Sequence, residues 1–200
     1  MLYPLPAVMV SCGREGEKPN IITVAWAGTI CSDPAMVSIS VRTNRYSYDI
    51  IRETGEFVIN LTTKKLVKAT DYCGVRSGRD VDKFAEMHLT PGKAEHLKYA
   101  PTIEESPVNI ECRVTEVKEL GTHHMFLAEV LGVTVDEAYM NENGRFELNS
   151  TGLVAYSHGT YFALGEELGT FGYSVRKKPM KTAKKKTRKD SKSSKGKGRK

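Results

Sequence analysis

Two long strands joined by two residues constrain the architecture more than any other feature of this 200-residue chain. From Val108 to Leu120, apolar side chains alternate through Val108, Ile110, Cys112 and Val114 before Val117 slips the phase, so a bulge is expected. His123 to Val135 follows across Gly121-Thr122, a spacing that predicts an antiparallel hairpin. Shorter strand candidates precede it at Pro6 to Cys12, Asn20 to Gly28, Ala35 to Val41 and Glu56 to Leu61, most of them rich in β-branched residues. Long paired strands with short neighbours predict a mainly β fold, a closed or nearly closed barrel. Alternation buries one face only, so an apolar outer face would call for a second subunit.

A few helices interrupt this pattern. Arg45 to Glu53 has helical apolar spacing and Gly55 stops it. Thr63 is placed to N-cap a helix over Lys64 to Tyr72, with Gly74 as its stop. From Val75 to Pro107 the chain is irregular, with one helical candidate at Val81 to Met87.

The formal net charge of +6 is the sum of two opposite parts. Arg176 to Lys200 holds 14 Lys or Arg and one acid, Asp190, for +13, whereas Met1 to Val175 holds 16 bases and 23 acids, for −7. The body is sized for one domain, 1–175, and leaves no room for a separate nucleotide-binding domain. The tail, 176–200, has almost no apolar content with which to offset its ordering entropy, so disorder is expected there.

Several function classes lose ground. No apolar run approaches the roughly 20 residues of a membrane span, and Met1 to Ser11, broken by Pro4 and Pro6, does not read as a secretory signal. Cytoplasm is the expected compartment, with no membrane partner. Cys12, Cys31, Cys73 and Cys112 lie far apart without C-x-x-C, so no zinc site or redox dithiol is legible and buried free thiols are expected. G-x-S-x-G and H-E-x-x-H are absent, and Gly13-Arg-Glu-Gly16-Glu-Lys18 fits neither a P-loop nor a dinucleotide fingerprint. Of five histidines only His123 and His124 are adjacent, and in a strand they point to opposite faces and cannot share an ion; four of the five read as surface or satisfied core groups. No side-chain catalyst and no metal site is expected.

Anion-binding chemistry does stand out. Val41-Arg42-Thr43-Asn44-Arg45-Tyr46-Ser47-Tyr48 sets two guanidinium groups and several hydroxyls where a strand hands over to a helix, so cations and free helix N–H groups could converge on a phosphate. Cys73-Gly74-Val75-Arg76-Ser77-Gly78-Arg79-Asp80-Val81-Asp82-Lys83-Phe84 is a second basic, glycine-containing loop leading into a short helix. Helix stops, turns and solvated charges are the plain alternative for each. In Thr23-Val24-Ala25-Trp26-Ala27-Gly28-Thr29-Ile30-Cys31-Ser32 the sole tryptophan sits among small residues and hydroxyls, where backbone could approach a flat ligand, the alternative being a core tryptophan beside a Gly bend.

These segments resemble the flavin reductase-like, FMN-binding split-barrel family, and within it the flavoredoxins. The matching stretches are Asn20-x-x-Thr23-x-Ala25-Trp26, Cys31-Ser32-Asp33-Pro34-x-Met36-Val37-Ser38-Ile39, Arg45-x-Ser47-Tyr48, Gly55-Glu56-Phe57-Val58-x-Asn60, Cys73-Gly74-x-x-Ser77-Gly78-Arg79-x-x-Asp82-Lys83-Phe84 and Tyr161-Phe162-x-Leu164-Gly165. They run through nearly the whole body. The resemblance implies a split β-barrel, usually a homodimer, with FMN near the subunit interface. By that resemblance Thr23, Ala25, Trp26, Ala27, Gly28 and Thr29 would line the isoalloxazine edge, with Ser32 and Cys31 close by. Arg42, Arg45, Tyr46 and Ser47 would surround the phosphate, Ser77, Gly78, Arg79 and Lys83 would close over it, and His158 and Tyr161 would face the ring's other side. The flavin carries the hydride and electron chemistry, which accounts for the missing catalysts. NAD(P)H or a reduced ferredoxin-like protein is the implied donor, and flavin, iron or a protein the acceptor.

A rival reading comes from the tail. Its +13 charge could neutralise nucleic-acid phosphates without sequence preference, leaving the barrel as a scaffold, or contact an acidic protein. The tail has no aromatic residue for base stacking.

Overall fold

The computed structural model describes residues 2–176, so the tail expected at 176–200 lies, from 177 onward, outside the described residues. In chain order the elements begin with β1 (Leu5–Pro6), β2 (Val8–Cys12), β3 (Asn20–Val24), β4 (Ala27–Ser32), β5 (Ala35–Arg42), α1 (Tyr46–Thr54) and β6 (Glu56–Leu61). Helices α2 (Val67–Val75) and α3 (Lys83–Glu86) follow, then β7 (Pro91–Gly92), β8 (Thr102–Ile103), β9 (Val108–Leu120), β10 (His123–Val135), β11 (Val154–Ser157) and β12 (Thr160–Ala163). The chain divides into Met1–Gly165 and a unit beginning at Glu166, whose described part holds a 3-10 turn at Tyr173–Val175. Among the described residues no helix is long and apolar enough to cross a membrane.

Seven strands form one antiparallel sheet in the order β3-β2-β6-β9-β10-β5-β4. Its outer strands, β3 and β4, are consecutive in the chain and separated by Ala25 and Trp26 alone. Opposite edges two residues apart require the sheet to roll up, because two residues span at most about 7 Å. The result is a barrel split between β3 and β4. One strand from Asn20 to Gly28 is therefore corrected to two. Val24 pairs with Val8 of β2 and Ala27 with Ile39 of β5, so the chain must leave one edge before joining the other.

The β9–β10 hairpin is present as the sequence predicts. The expected bulge falls at Thr115, between Val114 and Val117, because Glu116 pairs with Leu127 while Val114 pairs with Ala128, and Leu131 bulges on the opposite strand. Each extra residue adds local bend and twist, which helps the sheet close.

Strand β2 is buried on both faces, and this is what seats the helices. Val8, Val10 and Cys12 enter the barrel core with Ile22, Ile39, Phe57 and Phe126, while Met9 joins Ile21, Leu66, Ala69, Cys73 and Phe84 on the outside. Burying Met9, Leu66 and Phe84 contributes roughly 1.5–3 kcal/mol each and fixes α2 and α3 against β2 and β3. The irregular segment that follows is pinned by two carboxylates. Glu111 accepts from the Glu95 and His96 N–H groups at 3.1 and 2.7 Å, and Glu56 from those of Lys98 and Tyr99 at 2.9 Å.

Four positions mark the helix boundaries. Gly55 ends α1 in the left-handed conformation, φ 69°, its N–H donating to Ile51 O. Gly74, expected to stop α2, lies inside it; a Cβ there would come within 3.1 Å of the Thr23 side chain, so the glycine serves the contact with β3. Thr63 precedes a 3-10 turn, Lys64–Leu66, without a capping hydrogen bond, and α2 grows from that turn. The short α3 starts at Lys83, not Val81, because the Asp82 carboxylate accepts from Ala85 N–H at 3.1 Å and fixes the N-terminus there.

Candidate functional site

Where β5 hands over to α1, Arg45 occupies the N-cap with extended backbone, and no side chain caps the first-turn N–H groups. Facing it is the segment after α2. With Asn20 and Ile22 of β3 and Lys83 of α3, these elements enclose a cavity of about 140 Å³ whose lining includes Arg45, Arg76, Arg79 and Lys83 and no carboxylate. Lys83 is only 3% exposed. Its Nζ donates to Ile21 O at 2.6 Å and Cys73 O at 2.8 Å, bridging β3 to the end of α2, and one of its three N–H donors is left over. Burial lowers the Lys83 pKa, and Arg45 lowers it further against an opposite pull from the Cys73 and Cys12 thiols. Among the described residues Arg42, Arg45, Arg76 and Lys83 form no ion pair. Buried or clustered cations without a counter-charge are costly, and an anion is what this lining would accept.

The outer wall is held tightly. Arg79 lies 5.2 Å over the Tyr46 ring, reaches Asp49 at 3.6 Å and donates to Asn44 O at 3.4 Å. Asn20 donates from Nδ2 to Ser47 Oγ at 2.8 Å. Gly78 fits against both: a Cβ there would collide with the Asn20 amide and the Tyr46 ring.

Along β3 the cavity opens into a broader depression of about 350 Å³ lined by Thr23, Ala25, Trp26, Ser40, Arg42, His123 and Tyr156, which shares Ile22 and Arg45 with it. Its floor is the break between β3 and β4. Ala25 belongs to no ladder, and Trp26 O accepts from Ser40 N–H at 2.9 Å. Trp26 is 56% exposed, so it is not a core tryptophan. Its indole meets the His123 ring at a centroid distance of 4.4 Å, and desolvation together with Arg42 lowers the His123 pKa. Two further depressions adjoin this one. Thr23 and Ala25 share one with Gly74, Asp71, Tyr156 and Tyr161, where the Tyr161 hydroxyl donates to Asp71 Oδ1 at 3.3 Å and its pKa is raised to about 12, mainly by desolvation. Trp26 shares the other, an apolar one of about 400 Å³, with Ala27, Gly28, Tyr3 and Leu5.

The structure thus gathers Arg45, Tyr46, Ser47, Ser77, Gly78, Arg79 and Lys83 in one cavity, and Thr23, Ala25, Trp26 and Arg42 in the next. Arg42, expected at the phosphate, lines the broad depression with Arg45 and not the smaller cavity, because it ends β5 opposite His123. Thr29, Ser32 and Cys31 are farther along β4 and line none of these depressions. His158 is set apart as well: it sits in the β11–β12 turn at φ 47°, edge-on to Tyr3. Sequence reasoning overlooked Asn20 as a side chain, and Arg76, Asp71, Tyr156 and His123. Arg76 was visible as a base in the loop; Tyr156 gave no local signal, since it arrives from β11.

All four cysteines are free, with Cys12, Cys73 and Cys112 buried and Cys31 only half-buried, against the expectation of four buried thiols. Burial pushes Cys12 and Cys112 up to about 12 and Cys73 to about 11, far from thiolate reactivity. Among the described residues no group of three His, Cys, Asp or Glu is arranged to hold a metal.

Comparison with known proteins agrees with this geometry. The family model of the flavin reductase like domain matches residues 1–165. Flavoredoxin of Desulfovibrio vulgaris (Miyazaki F) superposes with a TM-score of 0.81 at 34% sequence identity, covering 88% of this chain and 95% of that one. An uncharacterized protein of Archaeoglobus fulgidus is 32% identical over 161 residues, 80% of this chain and 88% of its own. The reductase component of a 4-nitrophenol 4-monooxygenase/4-nitrocatechol 2-monooxygenase from Rhodococcus opacus is 26% identical over 130 residues, 62% of each chain. The chain belongs to the flavin reductase like domain family, flavin-related oxidoreductases built on a split β-barrel.

Proposed function

We propose that the protein binds FMN and works as an oxidoreductase or electron carrier, taking electrons from NAD(P)H or a reduced ferredoxin-like protein and delivering them to free flavin, iron or a protein acceptor. One observation carries the reading: a carboxylate-free cavity lined by the buried Lys83 shares Ile22 and Arg45 with a broader depression of about 350 Å³ along β3. The likeness to a flavoredoxin supports the carrier role, and that to a monooxygenase reductase component supports delivery to a second protein or to free flavin.

In this reading Lys83, Arg45, Arg76 and the uncapped N–H groups of α1 hold the phosphate. Ser77 and Gly78 border the phosphate and the chain that follows it. Thr23, Ala25 and Trp26 set the ring along the β3–β4 break, where backbone groups outside the ladder can bond its heteroatoms. Arg42 places a positive charge beside the ring, which favours its reduced, anionic form. Bound FMN supplies hydride acceptance and one- or two-electron transfer, so the protein needs to position and tune rather than to act as acid or base. A homodimer would cover the apolar surface around Trp26, Leu2 and Ile30, which are exposed in the single chain.

The test is direct. Purified protein, reconstituted with FMN if necessary, should show a flavin spectrum that bleaches with NADH, NADPH or reduced ferredoxin. A colourless protein that takes up neither FMN nor FAD would overturn the proposal.

A further inference from the structure

The cationic cavity has a second neighbour on the side away from the ring. Asn20, Tyr46, Gly78 and Arg79 form a wall common to the cavity and to a depression of about 360 Å³, and there the sign of the lining inverts: Glu17, Asp80 and Asp82 bring three carboxylates. Lys18, the one base added there, is engaged by Asp82 at 2.9 Å. Glu17 is held by Arg14 at 2.9 Å and accepts from Tyr46 Oη at 3.1 Å. Asp80 has neither an ion pair nor a side-chain hydrogen bond among the described residues, so its charge is uncompensated. Residues 17 to 25 therefore mark a line with an acidic depression at one end, the cationic cavity in the middle and the ring depression at the other end.

From this ordering we infer that the chain discriminates by charge between mononucleotide and dinucleotide flavins, in favour of the mononucleotide; the inference rests on the flavin reading above. A terminal phosphate monoester carries close to two negative charges on one group at neutral pH, its second pKa being about 6. All of that charge falls among Arg45, Arg76 and Lys83. In a dinucleotide the same two charges are spread over two phosphates, and the second is carried past Tyr46 and Gly78 toward Asp80 and Glu17. It gives up attraction and meets repulsion. Asp80 is the specificity determinant with no structural task, whereas Asp82 caps α3 and Glu17 anchors Arg14.

The experiment is a fluorescence titration of the full chain with FMN and with FAD, at low and at high salt, for the wild type, Asp80→Asn and Asp80→Lys. Wild type should bind FMN at least about tenfold more tightly than FAD at low salt, a gap a little over that of one charge–charge contact screened by water, as suits an exposed carboxylate. Asp80→Lys should close most of that gap, Asp80→Asn part of it, and raised salt should narrow it in the wild type because the groups are exposed. Equal affinities in the wild type would overturn the inference. So would a gap that neither substitution nor salt alters, which would mean steric exclusion. Binding of neither flavin would overturn the flavin reading itself, a result distinct from both. Asp80→Asn and the salt series remain decisive if Asp80→Lys folds poorly.

Discussion

The imidazole of His123 lies against the indole of Trp26, with ring centroids 4.4 Å apart and planes inclined by 36°. A side chain from β10 thereby steadies a tryptophan that stands half in solvent at the split of the barrel, beside the depression assigned to the ring.

The first prediction uses this pair. Because the chain has one tryptophan, its fluorescence reports a single place, and adding FMN should quench it in step with binding. Full Trp26 emission at saturating FMN, measured by titration, would move the ring elsewhere.

The same histidine gives a pH dependence. Desolvation and Arg42 hold its folded pKa below the ordinary 6.5, so the unfolded chain binds the proton more readily. Stability from this source is complete above pH 6.5 and is lost as pH falls through the lower folded value. Thermal melts of the wild type should therefore drop more steeply on acidification below that point than those of His123→Phe. Parallel curves would remove His123 from the account.

Gly78→Ala is the sharpest steric probe. Its φ is not in the left-handed region, so the cost comes from crowding the Asn20 amide and the Tyr46 ring. Overpacking of this kind costs about 1–3 kcal/mol, and the wall of the cavity would shift with it. FMN affinity should fall by tenfold or more while Gly28→Ala, whose Cβ would meet nothing within 4 Å, leaves it nearly unchanged. Isothermal titration of both variants decides the point.

These residues also show how far the sequence could be read. The β9–β10 hairpin was legible because two long segments of strand-forming sequence, the first alternating from Val108 to Val114, and the Gly-Thr turn between them are local signals. The phase slip between Val114 and Val117 announced the bulge, but its exact place depends on the partner strand: only the pairing of Val114 with Ala128 identifies Thr115 as the extra residue. Gly74 looked like a helix stop because Thr23, the side chain that requires it to be small, is 51 positions away in the chain. The cationic residues of the cavity were found because Arg45 sits in a short basic segment rich in hydroxyls and Lys83 in a basic loop marked by glycines. Tyr156 and His123 were not found, since long-range pairing alone brings β11 and β10 to the same depression. Arg42 and Arg45, three positions apart, meet at the broad depression, and only Arg45 also reaches the smaller cavity, a division that the turn between them sets and the sequence does not show.

The basic tail gives a modular prediction. Every residue lining the cationic cavity and the ring depression lies between positions 20 and 156. A chain ending at Val175 should keep its FMN affinity and lose any salt-sensitive retention on DNA or RNA, because 14 of the 30 bases are removed. Loss of FMN from the truncated protein, read by absorbance after gel filtration, would tie the tail to the site.

Lys83 carries the last prediction. Its ammonium is buried, donates to Ile21 O and Cys73 O, and has one N–H to offer a ligand. Desolvation lowers its pKa from the ordinary 10.5. A bound phosphate dianion stabilises the charged form, so by linkage FMN affinity is full while the lysine is protonated and declines as pH rises through its folded pKa, earlier than an exposed lysine would allow. Lys83→Met keeps most of the apolar stem, removes the charge, and should weaken FMN binding by about tenfold to a hundredfold, the range of one charge-assisted hydrogen bond. It also strands two carbonyls, so a lower melting temperature is expected with it. Arg45→Ala separates the two effects. Arg45 bridges no backbone groups, and its loss should weaken FMN binding with little change in melting temperature. If Lys83→Met lowers stability yet retains both wild-type FMN affinity and its alkaline decline, the lysine is a structural bridge and the phosphate is held by the arginines alone.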